Sequence, residues 1–190
     1  MIKCCSFDKK DIEFNDNELR HFANYKVGDT IYFENVLGDI DTLEIMGFEN
    51  YKYDKCGGFL AARPSNTRGV SIKHLPKDNW HGTSQDMSKG GEIEIVYQGL
   101  LWVSKHPIEK TIEYSFDFKD FYAYSDSILG EYHSETLTLN NISLTNYYKV
   151  KHGHPEKVTD PSHIEFIYWT DKDGLVAYQN KGGQVWTKKK

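Results

Sequence analysis

The chain has 190 residues, a length that suits one domain or one domain with an extension. Its formal net charge is −5, with 23 Lys and Arg against 28 Asp and Glu. Nucleic acid is therefore not an expected partner, because phosphate contacts require clustered basic side chains. Aromatic residues make up 14% of the chain, with 13 Tyr and 10 Phe, and this composition favours β-structure.

The N-terminal part predicts a short helix followed by a hairpin. Asn15 or Asp16 is expected to cap a short helix that reaches Phe22. The segments "TIYFENV" and "IDTLEIMGF" then alternate apolar and polar side chains, with Gly38-Asp39 between them. Two alternating segments around a Gly-Asp turn predict a β-hairpin.

Residues 49 to about 92 carry many turn-forming residues. Gly, Pro, Asn and Ser recur there, and only "GVSIKHL" has the pattern of a short strand. A long loop region is therefore predicted around 49–92. Structureless segments of this length are unusual in compact domains, so the alternatives are a functional loop, a mobile loop or unrecognised strands.

The second half of the chain has a clear period of two. In "KTIEYSFDFKDFYAYS" the side chains of Ile112, Tyr114, Phe116 and Phe118 fall on one face, which we expect to be the core face. "HSETLTLNNISLTNYYKV" predicts two more strands around Asn140-Asn141, because Asn accepts the left-handed backbone of a tight turn.

The segment "FIYWTDKDGLVAYQNKGGQVW" predicts the last strands. "DKDG" has the Asp-x-Asp start of a calcium loop, but the residues after Gly174 are core formers, whereas a calcium loop needs further oxygen ligands. Glycine after Asp suits a hairpin turn with positive φ. We therefore predict turns at Gly174 and at Lys181-Gly182-Gly183, with Trp186 as a core or rim aromatic.

These patterns together predict an all-β fold. We expect about eight to ten strands in an antiparallel meander that forms a barrel, half-barrel or sandwich, lipocalin-like or similar, with at most one short helix. Residues 1–10 are expected to form an N-terminal tether, and residues 11–190 a single domain. A cavity inside the sheet would indicate a small-molecule site, and a filled interior would favour protein contacts.

The sequence "IYWTDKDGLVAYQNKGGQVW" resembles the closing hairpin of small, mostly uncharacterised bacterial cell-envelope lipoproteins. In that family a tyrosine-rich strand, a turn, "G-[LI]-[VI]-x-[YF]", a second glycine turn and a tryptophan close an all-β domain. "YKVGDTIYFEN" followed by "GDIDTLEI" is similar to the opening hairpin of the family. The matching segments cover about a third of the chain, and the family offers no catalytic residues to carry over.

The same resemblance implies lipidation at the N-terminus. In such lipoproteins the first mature residue is a lipid-modified cysteine, and Cys5 followed by Ser6 suits that role. A lipid on Cys5 would attach the domain to a membrane surface in the periplasm or at the outer membrane. Lys3 departs from the small and apolar residues expected there, and no apolar segment precedes it. The alternatives are a different gene start, a trimmed chain, or ordinary thiols at Cys4 and Cys5 in a cytoplasmic protein.

Two groups of polar residues are candidates for a reaction centre. His152 and His154, with His163 nearby, offer imidazoles, but no Cys or Glu spacing completes the ligand set that zinc requires. Ser84, His81 and Asp86 lie close in sequence, whereas catalytic triads assemble from distant segments. We therefore predict no catalytic residue, no metal and no cofactor.

Aromatic side chains supply the candidate binding residues. Trp102, Tyr122 and Tyr124 are candidates to line a barrel mouth or cleft, because aromatic-lined concavities bind small apolar or sugar-like ligands. Core packing is the alternative for each of them.

Three functions follow as hypotheses. The first is a non-catalytic cell-envelope lipoprotein-like domain that binds a small ligand or a protein partner. The second is a soluble intracellular protein-interaction module. The third is a metal-dependent hydrolase that uses His81, His152 or His154.

Overall fold

The computed structural model describes residues 8–54, 64–75, 82–86, 91–95, 98–126 and 130–189. Over these ranges the chain is all-β, with short 3-10 helices at Lys9–Ile12, Arg20–Phe22 and Pro155–Lys157. Within the same ranges, no helix is long and apolar enough to cross a membrane.

The strands are β1 Thr30–Glu34, β2 Ile40–Tyr53, β3 Ser65–Leu75, β4 Gly82–Asp86, β5 Gly91–Ile95, β6 Gln98–His106, β7 Thr111–Phe118, β8 Phe121–Asp126, β9 Glu131–His133, β10 Leu137–Leu139, β11 Ile142–Leu144, β12 Tyr147–Lys151, β13 Ile164–Thr170, β14 Gly174–Asn180 and β15 Val185–Lys188.

Eleven of these strands form one antiparallel sheet, in the order β8-β7-β6-β3-β2-β1-β15-β14-β13-β12-β9. The hairpins β4-β5 and β10-β11 form separate two-stranded sheets. Apart from these insertions, neighbours in the sheet follow one another in the chain, and β1 pairs with β15. The sheet is therefore an up-and-down meander in which the first and last strands of the chain pair with each other. Its edge strands, β8 and β9, come from the middle of the chain.

The sheet curls into a half-barrel because the β8 edge returns to β12 and β13. The N–H of Gly153, just after β12, donates to the carbonyl of Tyr122 over 2.7 Å. The Nε2–H of His152 donates to the carbonyl of Asp120 over 3.0 Å, and the Asp120 carboxylate accepts from the N–H of Ile164 over 3.1 Å. These bonds close the half-barrel at the end that carries the β7-β8 turn, which we call the upper end.

The N-terminal segment, residues 8–29, covers the opposite, lower end. Ile12 is fully buried, and its carbonyl accepts from the Asn66 side chain over 3.0 Å. The Tyr25 ring is buried against Trp169, with 5.8 Å between the ring centroids. The segment therefore acts as a plug that extends the core.

The helix predicted from Asn15 is a turn followed by a 3-10 helix at Arg20–Phe22. The side chain of Asn15 accepts from the N–H of Glu18 over 3.0 Å, and the Glu18 carboxylate accepts from the N–H of Asn15 over 2.8 Å. This reciprocal pair has the bonding pattern of a capping box, with the predicted cap Asn15 at its first position.

Large side chains fill the interior of the half-barrel. The alternation expected for Tyr114, Phe116 and Phe118 is confirmed, because all three face the core. The rings interlock: Phe116 lies 5.5 Å from Trp169, and Phe118 lies 5.4 Å from Tyr178, between centroids. Each such burial contributes about 1.5–3 kcal/mol.

The β10-β11 hairpin builds a second, smaller core on the outer side of the sheet. Leu139 and Leu144 pack there against Tyr147, Tyr168 and Val176. The predicted Asn-Asn turn is confirmed, since Asn140 has a φ of 49° between the paired strands.

The predicted turns at both ends of the chain are also confirmed. Gly38, with a φ of 84°, lies in the β1-β2 hairpin turn. Gly174 has a φ of 70°, and a Cβ at that position would lie only 2.2 Å from the Tyr25 hydroxyl. The "DKDG" segment is thus a hairpin turn, and its glycine is required both by the backbone and by the plug.

Three other expectations are corrected by the structure. Where a long loop was predicted around 49–92, β2 continues to Tyr53 and is followed by β3, β4 and the start of β5, so unrecognised strands were the correct alternative for those residues. The alternation over 110–125 is a hairpin rather than one strand, with Lys119 at a φ of 54° in the turn. The described residues form fifteen strands, more than the eight to ten expected.

Candidate functional site

Four aromatic side chains share the outer face of the sheet between β2 and β8, and we call them the aromatic face: Tyr51, Trp102, Tyr122 and Tyr124. Trp102 lies opposite Ser115, which lies opposite Tyr124, so all three point to the same side of the sheet. Tyr122 precedes Tyr124 by two residues and shares that side. The three candidate binding residues of the sequence therefore lie together, on the outer face of the sheet rather than at a barrel mouth.

The Trp102 indole lies across the backbone of two glycines. A Cβ added to Gly69 would come within 2.3 Å of the indole, and a Cβ added to Gly99 would come within 1.7 Å of its Nε1. Residues three apart on a regular strand face opposite sides. Gly99 nevertheless lies on the same side of the sheet as Trp102, because the register between β3 and β6 shifts there and Leu100 is an extra residue in β6.

The tyrosines extend this surface on both sides of Trp102. The exposed fraction is 59% for Tyr51, 49% for Tyr124 and 43% for Tyr122. The Tyr51 ring lies beside the indole of Trp102, with 6.0 Å between centroids and 32° between planes. The Tyr122 ring stacks on His154 at 6.0 Å and 11°. Ring contacts therefore hold two of the tyrosines in place.

Polar groups lie between and beside the rings. The Glu49 carboxylate accepts from the Tyr51 hydroxyl over 3.2 Å and from the Ser71 hydroxyl over 3.2 Å. The hydroxyls of Thr67 and Ser104 are 2.9 Å apart. The aromatic face thus combines flat rings with hydroxyls and a carboxylate.

A second group of side chains, which we call the Asp41 cluster, lies inside the upper end of the half-barrel. Asp41 is only 5% exposed. Its Oδ2 accepts from the Lys119 ammonium over 2.8 Å and from the Tyr178 hydroxyl, and its Oδ1 accepts from His74 Nε2. The N–H of Thr42 donates to Oδ1 over 3.0 Å.

The electrostatics of the Asp41 cluster favour the ionised carboxylate. Burial opposes ionisation, but the hydrogen bond from His74, the charge of Lys119 and the bonds from Lys119 and Tyr178 outweigh it, so the pKa of Asp41 is lowered below its usual range. The carboxylate ties β2 to β3, to β14 and to the β7-β8 turn. We interpret the cluster as a polar lock of the upper end. No pattern in the sequence predicts it.

His21 is a buried histidine at the lower end. It is fully buried between Tyr114 and Tyr148, whose ring centroids lie 5.7 Å and 6.3 Å from its own. Burial and the nearby Arg20 guanidinium lower the pKa of His21 to about 4, although Asp171 opposes the shift. The imidazole is therefore neutral at neutral pH. It packs between the two tyrosine rings, and its Nδ1 lies 3.1 Å from the Asp171 carboxylate.

The histidines weighed as metal ligands lie at the upper closure. His152 is buried, and its Nδ1 accepts from the N–H of His154 over 2.9 Å while Nε2–H donates to Asp120. His154 stacks on Tyr122, and His163 Nδ1 lies 3.8 Å from the Asp120 carboxylate. Both nitrogens of His152 are thus bound to the backbone. Within the described ranges, no group of three or more His, Cys, Asp or Glu side chains is placed to hold a metal.

The other candidate residues of the sequence lie away from these clusters or outside the described ranges. Ser84 and Asp86 lie in strand β4. Cys4, Cys5 and His81 lie outside the described residues.

A groove of about 710 Å³ lies between the β10-β11 hairpin and strands β14 and β15. Its apolar wall includes Leu144 and Val176. On the polar wall, the Lys188 ammonium donates to the carbonyl of Asp173 over 2.8 Å, and burial lowers the pKa of Lys188. The Lys189 ammonium lies 3.1 Å from the Glu34 carboxylate in the lining of the groove, so the groove has no uniform charge to select a ligand.

No protein-family model matches the chain, and neither the curated proteins nor the solved structures gave a match.

Proposed function

We propose that this protein is a non-catalytic, lipoprotein-like domain of the bacterial cell envelope that binds a partner through the aromatic face. The observation that supports this best is the register of the sheet, which brings Trp102, Tyr122 and Tyr124 to one exposed surface. Tyr and Trp supply much of the energy of binding surfaces, because they bury a large area at low entropic cost.

The interior of the half-barrel supports a surface site rather than an enclosed one. Trp169, Tyr178 and Phe116 are less than 2% exposed and occupy the space that a ligand would need. The polar side chains around Asp41 and His152 bond to one another and to the backbone, so their role is to hold the fold together. This supports a binding role for the protein rather than a catalytic one.

Attachment to the envelope is the second part of the proposal. The "CCS" sequence and the hairpin patterns support a lipid on Cys5, which would hold the domain at a membrane surface of the periplasm or outer membrane. The domain begins close behind, since Ile12 is already buried. The lower end, which the N-terminal segment covers, would then face the membrane.

Metabolic labelling with an alkyne fatty acid tests the attachment in cells that express the gene from its natural start. We expect label on the wild-type protein and on Cys4→Ala, and none on Cys5→Ala. An unlabelled wild-type protein recovered from the cytosol would overturn the envelope assignment and favour a soluble interaction module.

Retention on isolated cell envelopes tests the binding face. We expect the Trp102→Ala Tyr124→Ala double variant of the non-lipidated domain to bind envelopes about tenfold more weakly than wild type. The control is Tyr32→Ala Tyr132→Ala, which removes two other exposed tyrosines. Equal retention of all three proteins would contradict the assignment of the aromatic face.

A further inference from the structure

We infer that the aromatic face binds a neutral polysaccharide, with the Trp102 indole as the platform for one sugar ring. This inference rests on the proposed binding role of the same face and specifies its ligand class. The argument comes from the seating of Trp102, the spacing of the rings and the charge around them.

The seating of Trp102 suits a stacking platform. Gly69 and Gly99 let one face of the indole lie against the backbone, and the side chain is partly exposed. Tyr51 supports it from the side at 6.0 Å. The C–H face of a pyranose ring packs on a flat aromatic ring, because the C–H groups are weakly positive and the ring face is negative. A platform fixed on the sheet loses little side-chain entropy when it binds.

The spacing of the rings suits an extended ligand. Trp102 and Tyr124 lie in one cross-strand row with only Ser115 between them. Neighbouring strands are about 4.8 Å apart, so the Cα atoms of the two residues are separated by about 10 Å. That distance corresponds to two sugar units along an extended glycan. The small Ser115 side chain leaves room for the unit between them.

The charge near the rings points to a neutral ligand. Glu49 lies beside Tyr51, and Glu113 and Asp117 flank Ser115 on the same side of β7, with the Glu113 carboxylate 2.9 Å from His106 Nε2. Carboxylates accept hydrogen bonds from sugar hydroxyls and repel phosphate or uronate groups. An anionic glycan, or a nucleic acid, would be disfavoured at the same surface.

Calorimetric titration with cellohexaose, chitohexaose and maltohexaose tests the inference, with oligogalacturonate as the anionic control. We expect saturable binding of at least one neutral hexasaccharide and no binding of oligogalacturonate. Trp102→Ala should weaken the affinity by about tenfold or more. Gly99→Ala should do the same without removing any contacting side chain, because its Cβ takes the place of the indole Nε1.

Gly47→Ala is the matched control, since a Cβ on this β2 glycine meets nothing within 4 Å. We expect it to bind as wild type. Circular dichroism of each variant shows whether it is folded. If Gly99→Ala is not folded, Trp102→Ala alone decides whether the indole is the platform. The absence of saturable binding of any neutral hexasaccharide, or binding that Trp102→Ala leaves unchanged, would overturn the inference. Envelope retention that still depends on Trp102 in that case would leave the proposed binding face intact and exclude these neutral glycans as its ligand.

Discussion

At the scale of single residues, two buried titratable side chains set how the fold responds to acid, and they do so in different pH ranges. His21 packs as a neutral ring between two tyrosines, whereas Asp41 is held as an anion by three side-chain donors. The histidine favours the folded state when it is uncharged, and the aspartate does so when it is charged.

His21→Phe should reduce the loss of stability between pH 6.5 and pH 4. The pKa of His21 is lowered to about 4 in the folded protein. As the pH falls below about 6.5, His21 is therefore protonated first in the unfolded chain, and this protonation stabilises the unfolded state relative to the folded state. We expect the free energy of unfolding of wild type to fall by about 1–2 kcal/mol more than that of the variant across this window. Urea titrations at pH 7.0 and 4.5 measure it, with the exposed His154→Gln as control. Parallel curves for wild type and His21→Phe would refute the buried neutral imidazole.

Asp41→Asn should destabilise the fold at neutral pH by about 3 kcal/mol, because it removes the buried carboxylate that pairs with the Lys119 ammonium. The pKa of Asp41 is lowered in the folded state, so its contribution is complete above the ordinary value of about 3.9 and is lost as the pH falls below it. We therefore expect the difference between wild type and variant to shrink from pH 6 to pH 2. Thermal melts over this range provide the test. The exposed Asp16→Asn should match wild type throughout, and a constant gap for Asp41→Asn would show that the lock is not ionic.

At the scale of elements, the closure of the half-barrel depends on the segment after β12. The ring of His152 and the N–H of Gly153 bond to carbonyl groups on either side of the start of β8. The adjacent His154 contributes only its ring, which stacks on Tyr122, and its backbone N–H, which any residue provides.

His152→Ala should open this closure, and His154→Ala should leave it intact. Removal of the imidazole leaves the carbonyl of Asp120 and the N–H of His154 without their partner, at a cost of about 2 kcal/mol. We expect the amide of Gly153 to exchange its hydrogen at least about tenfold faster in His152→Ala than in wild type. Hydrogen-exchange NMR of the two variants measures this, and equal protection in both would show that the β8 edge is held by other contacts.

A strand can be predicted from the sequence where a pattern of neighbouring residues determines it. β1, β7 and β13 to β15 were predicted because alternation and turn glycines are local signals. β3 was only partly predicted, because Gly69 resembles a turn signal, whereas in the structure it seats Trp102. The extra residue Leu100, which places Gly99 beneath the same indole, leaves no mark in the sequence.

The candidate sites divide in the same way. Trp102, Tyr122 and Tyr124 could be selected from sequence as aromatic residues, but the face of the two tyrosines could not. The alternation that starts at Ile112 places Tyr122 and Tyr124 on the core face, and only the turn at Lys119 moves them to the outer face. The Asp41 cluster could not be selected, since its members come from β2, β3, the β7-β8 turn and β14 and meet only when the sheet curls. No spacing along the chain predicts such a meeting.

At the scale of the whole molecule, the cyclic order of the sheet makes a prediction about connectivity. β8 and β9 are the edge strands of the sheet although they are consecutive in the chain, and β1 and β15 are paired although they lie at opposite ends of it. The chain can therefore be reopened between β8 and β9 without separating any pair of strands.

A circular permutant tests this order. A Gly/Ser linker of about 15 residues would join Lys190 to Met1, with new termini between Asp126 and Gly130. We expect it to unfold cooperatively, within about 2 kcal/mol of wild type. A second permutant opened in the β1-β2 turn should be less stable, because Asn35 holds that turn through bonds to Leu37 and Asp39. If the second permutant were the more stable one, the cyclic meander would be wrong.

The pairing of β1 with β15 also governs how the protein is made. Phe33 leaves the ribosome long before its partner Lys188 is translated. Until then β1 and β14 each present an unpaired backbone edge, and such edges are templates for association between chains. Newly synthesised molecules are therefore exposed to association between chains until β15 has been made, and a truncation before Val185 would leave both edges unpaired.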